Sequence, residues 1–245
     1  HDRNSKWSPD GKWISYISDA TGEDEIYIRP QDGSGAAIQL TTSSDTYKYQ
    51  PIWSPDSKKL LWGDKKQRLQ FVDIDSKKVT VVAEATAWEI TSFDWSPDSK
   101  WIAYAKPEVE QMISLYLYSV DGKKTIPATD GWFSSYSPTF SSDGKFLFFI
   151  SNRSFRPTYS QTEWNHAYFD MAKIYLVTLS KDVKSPFEPK SDEVKIKEEK
   201  KEDQKSDKAE AGKKAEAEKK VTVRVDADGL QDRIAVLPIT AASYR

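Results

Sequence analysis

His166 is the only histidine in the interior of the chain, and it stands four residues before Asp170. A Ser–His–Asp arrangement needs a serine held against an imidazole that a carboxylate orients. Serine and aspartate are plentiful, yet no Gly-x-Ser-x-Gly elbow occurs, and nothing sets a nucleophile on a strained turn beside His166. His166 with Asp170 could also supply two metal ligands, but two ligands do not close a site. His-Glu-x-x-His, the P-loop and Gly-x-Gly-x-x-Gly are missing. There is no cysteine to act as nucleophile or thiolate ligand. The chain therefore reads as having no catalytic residues, no metal site and no cofactor of its own.

Recognition chemistry is better represented. The stretch "RSFRPTYSQTEWNHAYFDMA" (153–172) carries Phe155, Tyr159, Trp164, Tyr168 and Phe169 among Arg153, Arg156 and His166. Aromatic rings and arginine are the usual anchors of contact surfaces. Long connections without regular structure are often functional. A second aromatic stretch, "TDGWFSSYSP" (129–138), holds Trp132, Phe133 and Tyr136. Arg153, Arg156, Tyr159, Trp164, His166, Tyr168 and Trp132 are thus the candidate peptide- or partner-contact residues. The competing reading is that these rings cover the body of the protein or meet a neighbouring domain.

What must position them is a repeat. "WSPDGKWISYISD" begins at Trp7, "WSPDSKKLLW" at Trp53, "WSPDSKWIAYA" at Trp95 and "FSSDGKFLFFISN" at Phe140, intervals of 46, 42 and 45 residues. A period of this size marks a repeat architecture. Within the first three copies the Ser-Pro-Asp group is a turn, since proline presets φ and aspartate bonds nearby backbone N–H groups; the fourth copy has Ser-Ser-Asp there. Gly11 and Gly144 then supply a left-handed residue, whereas Ser57 and Ser99 at the same place predict strain or another turn type. Short β-branched and aromatic runs follow, joined by further turns, which makes four strands per copy. The expectation is an all-β β-propeller of four-stranded antiparallel blades, with about four blades present, hence a partial propeller. Trp7, Trp53, Trp95 and Phe140 are expected in the core between blades.

Composition sets the outer bounds. The 245 residues are 38% hydrophobic and 30% charged, with 9 tryptophans and a formal net charge of −2. That charge favours neither nucleic acid nor an anionic membrane. No run of 18 apolar residues predicts a membrane span. The chain opens in mid-motif and reads as a piece of a longer polypeptide. Residues 188–220 are dominated by Lys, Glu, Asp and Ala with no aromatic. Such a composition cannot bury enough apolar surface to offset its ordering entropy. The expected organisation is propeller blades over 1–187, a charged, disordered insertion over 188–220, and a resumed propeller strand with the start of a following domain over 221–245. "VTVRVD" (221–226) is read as completing the fourth blade.

The repeats resemble the "WSPDG" type of propeller repeat shared by TolB, prolyl-oligopeptidase-type peptidases and tricorn-like proteases. The passages 152–194 and 225–245, above all "SPFEPKSDE" and "DGLQDRIAVLP", more specifically resemble the N-terminal propeller region of the tricorn-like protease family. That resemblance implies a non-catalytic part of a serine peptidase whose PDZ domain and catalytic core lie downstream. It implies that the first propeller filters or guides peptides and unfolded polypeptides toward that core. It also implies a homo-oligomeric full-length enzyme in the cytoplasm, or in the cell envelope if a signal lies upstream. The alternatives are a stand-alone TolB-like protein-binding scaffold and the gating propeller of a prolyl-oligopeptidase-type enzyme.

Overall fold

The computed structural model describes residues 1–110, 112–154, 170–188 and 221–244, together with the backbone of 158–159 and 166–167. The charged tract over 189–220 lies outside them. Blade 1 is built from β1 (Asp2–Trp7), β2 (Trp13–Ser18), β3 (Glu25–Pro30) and β4 (Ile38–Gln39). Blade 2 has β5 (Ile52–Trp53), β6 (Lys59–Gly63), β7 (Arg68–Asp73) and β8 (Val79–Glu84). Blade 3 has β9 (Ser92–Trp95), β10 (Trp101–Lys106), β11 (Ser114–Ser119) and β12 (Lys124–Pro127). In the last blade, β13 (Ser135–Phe140) and β14 (Phe146–Ser151) are followed by a two-stranded ribbon, β15 (Thr158–Tyr159) with β16 (His166–Ala167). The sheet then resumes with β17 (Lys173–Thr178) and closes with β18 (Ile234–Val236).

Each blade is a four-stranded antiparallel sheet, and the fourth has the order β13-β14-β17-β18. The expected all-β partial propeller is therefore what forms. The only helical element among the described residues is the 3-10 turn Gln231–Arg233.

Two details differ from the sequence reading. The stretch 153–172 carries a ribbon of its own, pairing Thr158 with Ala167 and Tyr159 with His166. The outer strand of blade 4 is Ile234–Val236 rather than 221–226, which enters no sheet. Residues 221–226 instead cross the turn end of blades 3 and 4. Val223 N donates to Asp98 Oδ2 at 2.8 Å, and Asp226 N donates to the Leu179 carbonyl at 2.9 Å. Arg233 ties this passage down by donating to the carbonyls of Thr178 and Asp228, both at 2.9 Å.

The middle strands of blades 2 and 3 are buried on both faces because each of these blades lies between two others. A directly opposed ring pair marks the same place in three blades: Tyr16 with Tyr27, Tyr104 with Tyr116, and Phe149 with Tyr175, at centroid distances of 5.6, 5.6 and 5.7 Å. In blade 2 the corresponding pair is Trp62 with Gln70. Each interface between blades has its own core. Trp53 packs with Ile17, Ile26 and Leu40 of blade 1, and Trp95 packs with Leu61 and Phe71 of blade 2. Phe140 packs with Leu115 and Leu117 of blade 3. These rings are 9%, 4% and 8% exposed, whereas Trp7 is 59% exposed. The core assignment fails for Trp7 because within this chain no sheet precedes blade 1 to cover it.

Candidate functional site

Antiparallel alternation sends the Ser-Pro-Asp turns to one end of the blades. The β8–β9, β10–β11, β12–β13 and β14–β17 connections go to the other. That second rim holds Trp132 and Phe133 of the second aromatic stretch, on the β12–β13 connection. Between the β10–β11 and β12–β13 connections lies a cleft of about 560 Å³, lined by Val109, Glu110, Met112, Asp130, Gly131 and Trp132. Met112 N donates to the Gly131 carbonyl at 3.2 Å, and Ser135 N to the Ile113 carbonyl at 2.8 Å, so the two connections are pinned together. Trp132, Val109 and Met112 are 78%, 71% and 53% exposed, an unusual display for large apolar side chains. A second recess of about 370 Å³ shares Val109 and Glu110 and extends to Thr86 and Tyr116. Trp88, on the β8–β9 connection, is also exposed.

The charges around the cleft are fixed by their neighbours. Tyr116 Oη donates to Glu108 Oε1 at 2.8 Å, and Lys106 Nζ lies 3.4 Å from the same oxygen. Burial, reinforced by the Glu108 carboxylate, pushes the Tyr116 phenol well above its ordinary value. Asp130 Oδ1 accepts the Trp132 N–H at 3.3 Å and pairs with Arg153 at 3.6 Å. The Arg153 guanidinium sits 5.7 Å from the ring centres of both Phe133 and Tyr175 and donates from Nε to Ser151 Oγ at 3.3 Å. Its side chain is only 19% exposed. Arg153 thus clamps β14, β17 and the β12–β13 connection, while Trp132 stands free at the lip. Tyr159 and His166 form a backbone pair in the ribbon. Their side chains lie outside the described residues, as do Arg156, Trp164 and Tyr168.

Sequence reasoning missed two features of this rim. Val109 and Met112 were hidden in "PEVEQMI", where isolated apolar residues among glutamates resemble an ordinary surface loop. The other feature is a buried polar cluster between blades 1 and 2. Lys48, 5% exposed, donates to the Asp24 carbonyl at 2.7 Å and to Ser44 Oγ, and lies 3.7 Å from Glu25 Oε2. Asp64, 1% exposed, accepts from Arg68 Nε and Gln70 Nε2, both at 2.8 Å. Burial lowers the Lys48 ammonium below its ordinary value, against the opposing pull of Glu25, Asp24 and Asp64. The available signal was Gln70, which replaces a ring that the other blades carry at the same position. No group of three or more metal-ligating side chains is arranged for a metal among the described residues.

Blades of this design, with interblade aromatic cores and a turn motif at each start, define a segment of a β-propeller whose distinctive surface is a loop rim. The chain belongs to the family of the tricorn protease second β-propeller domain, whose model matches residues 1–245. The matched domain is the second propeller, so the guiding role that the resemblance attached to the first does not transfer by position. Tricorn protease homolog 1 of Streptomyces coelicolor is 29% identical over 236 residues, covering 95% of this chain and 21% of that protein. The tricorn protease homolog of Saccharolobus solfataricus is 33% identical over 172 residues, covering 70% of this chain and 16% of that protein. The chain thus spans about a fifth or less of the length of these two relatives. The crystal structure of the tricorn protease superposes on the whole chain with a TM-score of 0.79 at 18% identity, which covers 22% of that structure's chain and shows the shared fold. No helix among the described residues is long and apolar enough to cross a membrane.

Proposed function

We propose that this chain is a non-catalytic propeller portion of a tricorn-like serine protease. In this reading it guides or filters peptides and unfolded polypeptides, and it packs on a downstream PDZ and peptidase core in an oligomeric enzyme. The observation that carries the reading is the rim cleft. Two connections are pinned together, yet they leave Trp132, Val109 and Met112 exposed around a concave surface. Clefts lined by apolar groups with a few fixed polar ones are the usual form of binding sites.

The test uses the full-length polypeptide bearing this chain. Trp132→Ala combined with Val109→Ser is expected to raise KM for long unfolded substrates several-fold. Turnover of a dipeptide-sized reporter should be unchanged, because only long substrates reach the rim while occupying a distant catalytic centre. Equal effects on both substrates, or no effect on either, would refute the guiding role.

A further inference from the structure

We infer that the cleft between the β10–β11 and β12–β13 connections receives a cationic side chain, lysine or arginine, of an extended polypeptide. The inference rests on the reading that the rim engages polypeptides, and it names the feature recognised. The cleft volume of about 560 Å³ falls within the range of about 300–1,000 Å³ typical of ligand pockets. Among the described residues its lining holds two carboxylates, Glu110 and Asp130, and no cation. Arg153 stands behind Asp130 with Nη2 3.6 Å from Oδ1, a charge contact without a hydrogen bond, and the same oxygen accepts the Trp132 backbone N–H. Trp132 presents its indole to solvent at the same lip.

An indole is the strongest cation–π acceptor among the side chains, and nearby carboxylates attract the same guest. The methylene stem of a lysine or arginine suits the apolar wall of Val109 and Met112, while its charged head reaches the carboxylates. A purely apolar occupant would desolvate the Glu110 carboxylate without compensation, and an anionic one would be repelled by it. Charge and shape therefore select one class of guest.

The experiment titrates the chain with two peptides identical except for one central residue, lysine in one and norleucine in the other. Calorimetry reports binding. The lysine peptide is expected to bind about tenfold more tightly, the scale of a partly desolvated cation–π contact with a carboxylate neighbour. Added salt should shrink that preference, and Glu110→Gln and Trp132→Ala, both at exposed positions, should each erode it. Equal affinity for the two peptides would overturn the cation selectivity and leave the polypeptide-binding reading standing. If neither peptide binds, the polypeptide-binding reading falls and the selectivity falls with it.

Discussion

Ser57 Oγ accepts the backbone N–H of Asp10 at 3.0 Å, which joins the turn of blade 2 to the turn of blade 1. Ser99 Oγ does the same for Asp56 N, again at 3.0 Å, from blade 3 to blade 2. Both serines sit at left-handed φ, 60° and 61°, where glycine would be easier. The middle copies keep the turn type of Gly11 and Gly144 and accept the strain, which the interblade bond offsets. Ser57→Ala retains the strain and removes the bond, whereas Ser57→Gly removes both. The stability order is expected to be Ser, then Gly, then Ala, with alanine about 1–2 kcal/mol below wild type by denaturant unfolding. Alanine as stable as serine would show that the bond contributes nothing, and glycine falling below alanine would show that the left-handed φ is not the strained feature.

Gly144 breaks this pattern for a steric reason. A Cβ there would lie 2.7 Å from Val223 Cγ2 and 3.0 Å from Val221 Cγ1. The 221–226 passage occupies the place of the missing serine, and Val223 N bonds Asp98 where a hydroxyl would otherwise reach the turn. Gly144→Ser should destabilise by about 1–3 kcal/mol through overpacking and backbone strain. Val223→Ala in the same chain should recover part of that loss. Strict additivity of the two substitutions in a double-mutant cycle would show that they do not share the space.

The repeat period, the turn chemistry and the alternation made the blades legible, because each is local and recurs four times. What stayed hidden depends on partners distant in sequence. The displacement of the serine latch by Val221 and Val223 joins residues separated by more than a tract of low-complexity charge. The Lys48 cluster consists of charged residue types that composition assigns to the surface, and only the absent ring at Gln70 betrays it. At the rim, Trp132 could be singled out from its type and its loop, but its pairing with Val109 and Met112 required the geometry of two neighbouring connections.

Lys48 holds the β4–β5 connection to blade 1 from within, bonding Asp24 O and Ser44 and lying 3.7 Å from Glu25. Lys48→Met removes the buried cation and leaves the 2%-exposed Glu25 side chain without it. Breaking a buried pair by deleting one partner costs about 3–5 kcal/mol. Thermal unfolding of Lys48→Met should therefore shift far below wild type, and Lys48→Met with Glu25→Gln should recover part of the shift. A Lys48→Met chain as stable as wild type would mean that this cluster contributes nothing to holding blades 1 and 2.

Acid should loosen the turn motif. The Ser8 hydroxyl, 2.6 Å from Asp10 Oδ1, holds that carboxyl below its ordinary value, and Ser141 does the same for Asp143 at 2.6 Å. A folded-state pKa below the unfolded one contributes stability above the unfolded value, near 3.8, and loses it as pH falls through the folded value. Unfolding midpoints should thus be flat near neutrality and drop below about pH 4. Asp10→Asn with Asp143→Asn should lower the neutral-pH midpoint slightly and flatten the acid limb. An acid limb as steep in the double variant as in wild type would assign the acid sensitivity to other carboxylates.

Trp7 and Trp53 occupy the same position of the same motif and differ in one respect, the presence of a neighbouring sheet. Trp53 is 9% exposed, packs on Ile17, Ile26 and Leu40 of blade 1, and donates from Nε1 to the Lys6 carbonyl at 3.2 Å. Trp7 is 59% exposed. A large aromatic removed from a core costs about 3–5 kcal/mol, so Trp53→Ala should be severely destabilising. Trp7→Ala should stay within about 0.5 kcal/mol of wild type, as exposed substitutions do. Trp53→Phe separates the two contributions, since it keeps most of the packing and loses only the bond to Lys6; its expected cost is about 1 kcal/mol. Equal losses at Trp7 and Trp53 would mean that the aromatic acts within its own blade, and that the interface between blades is not what this residue stabilises.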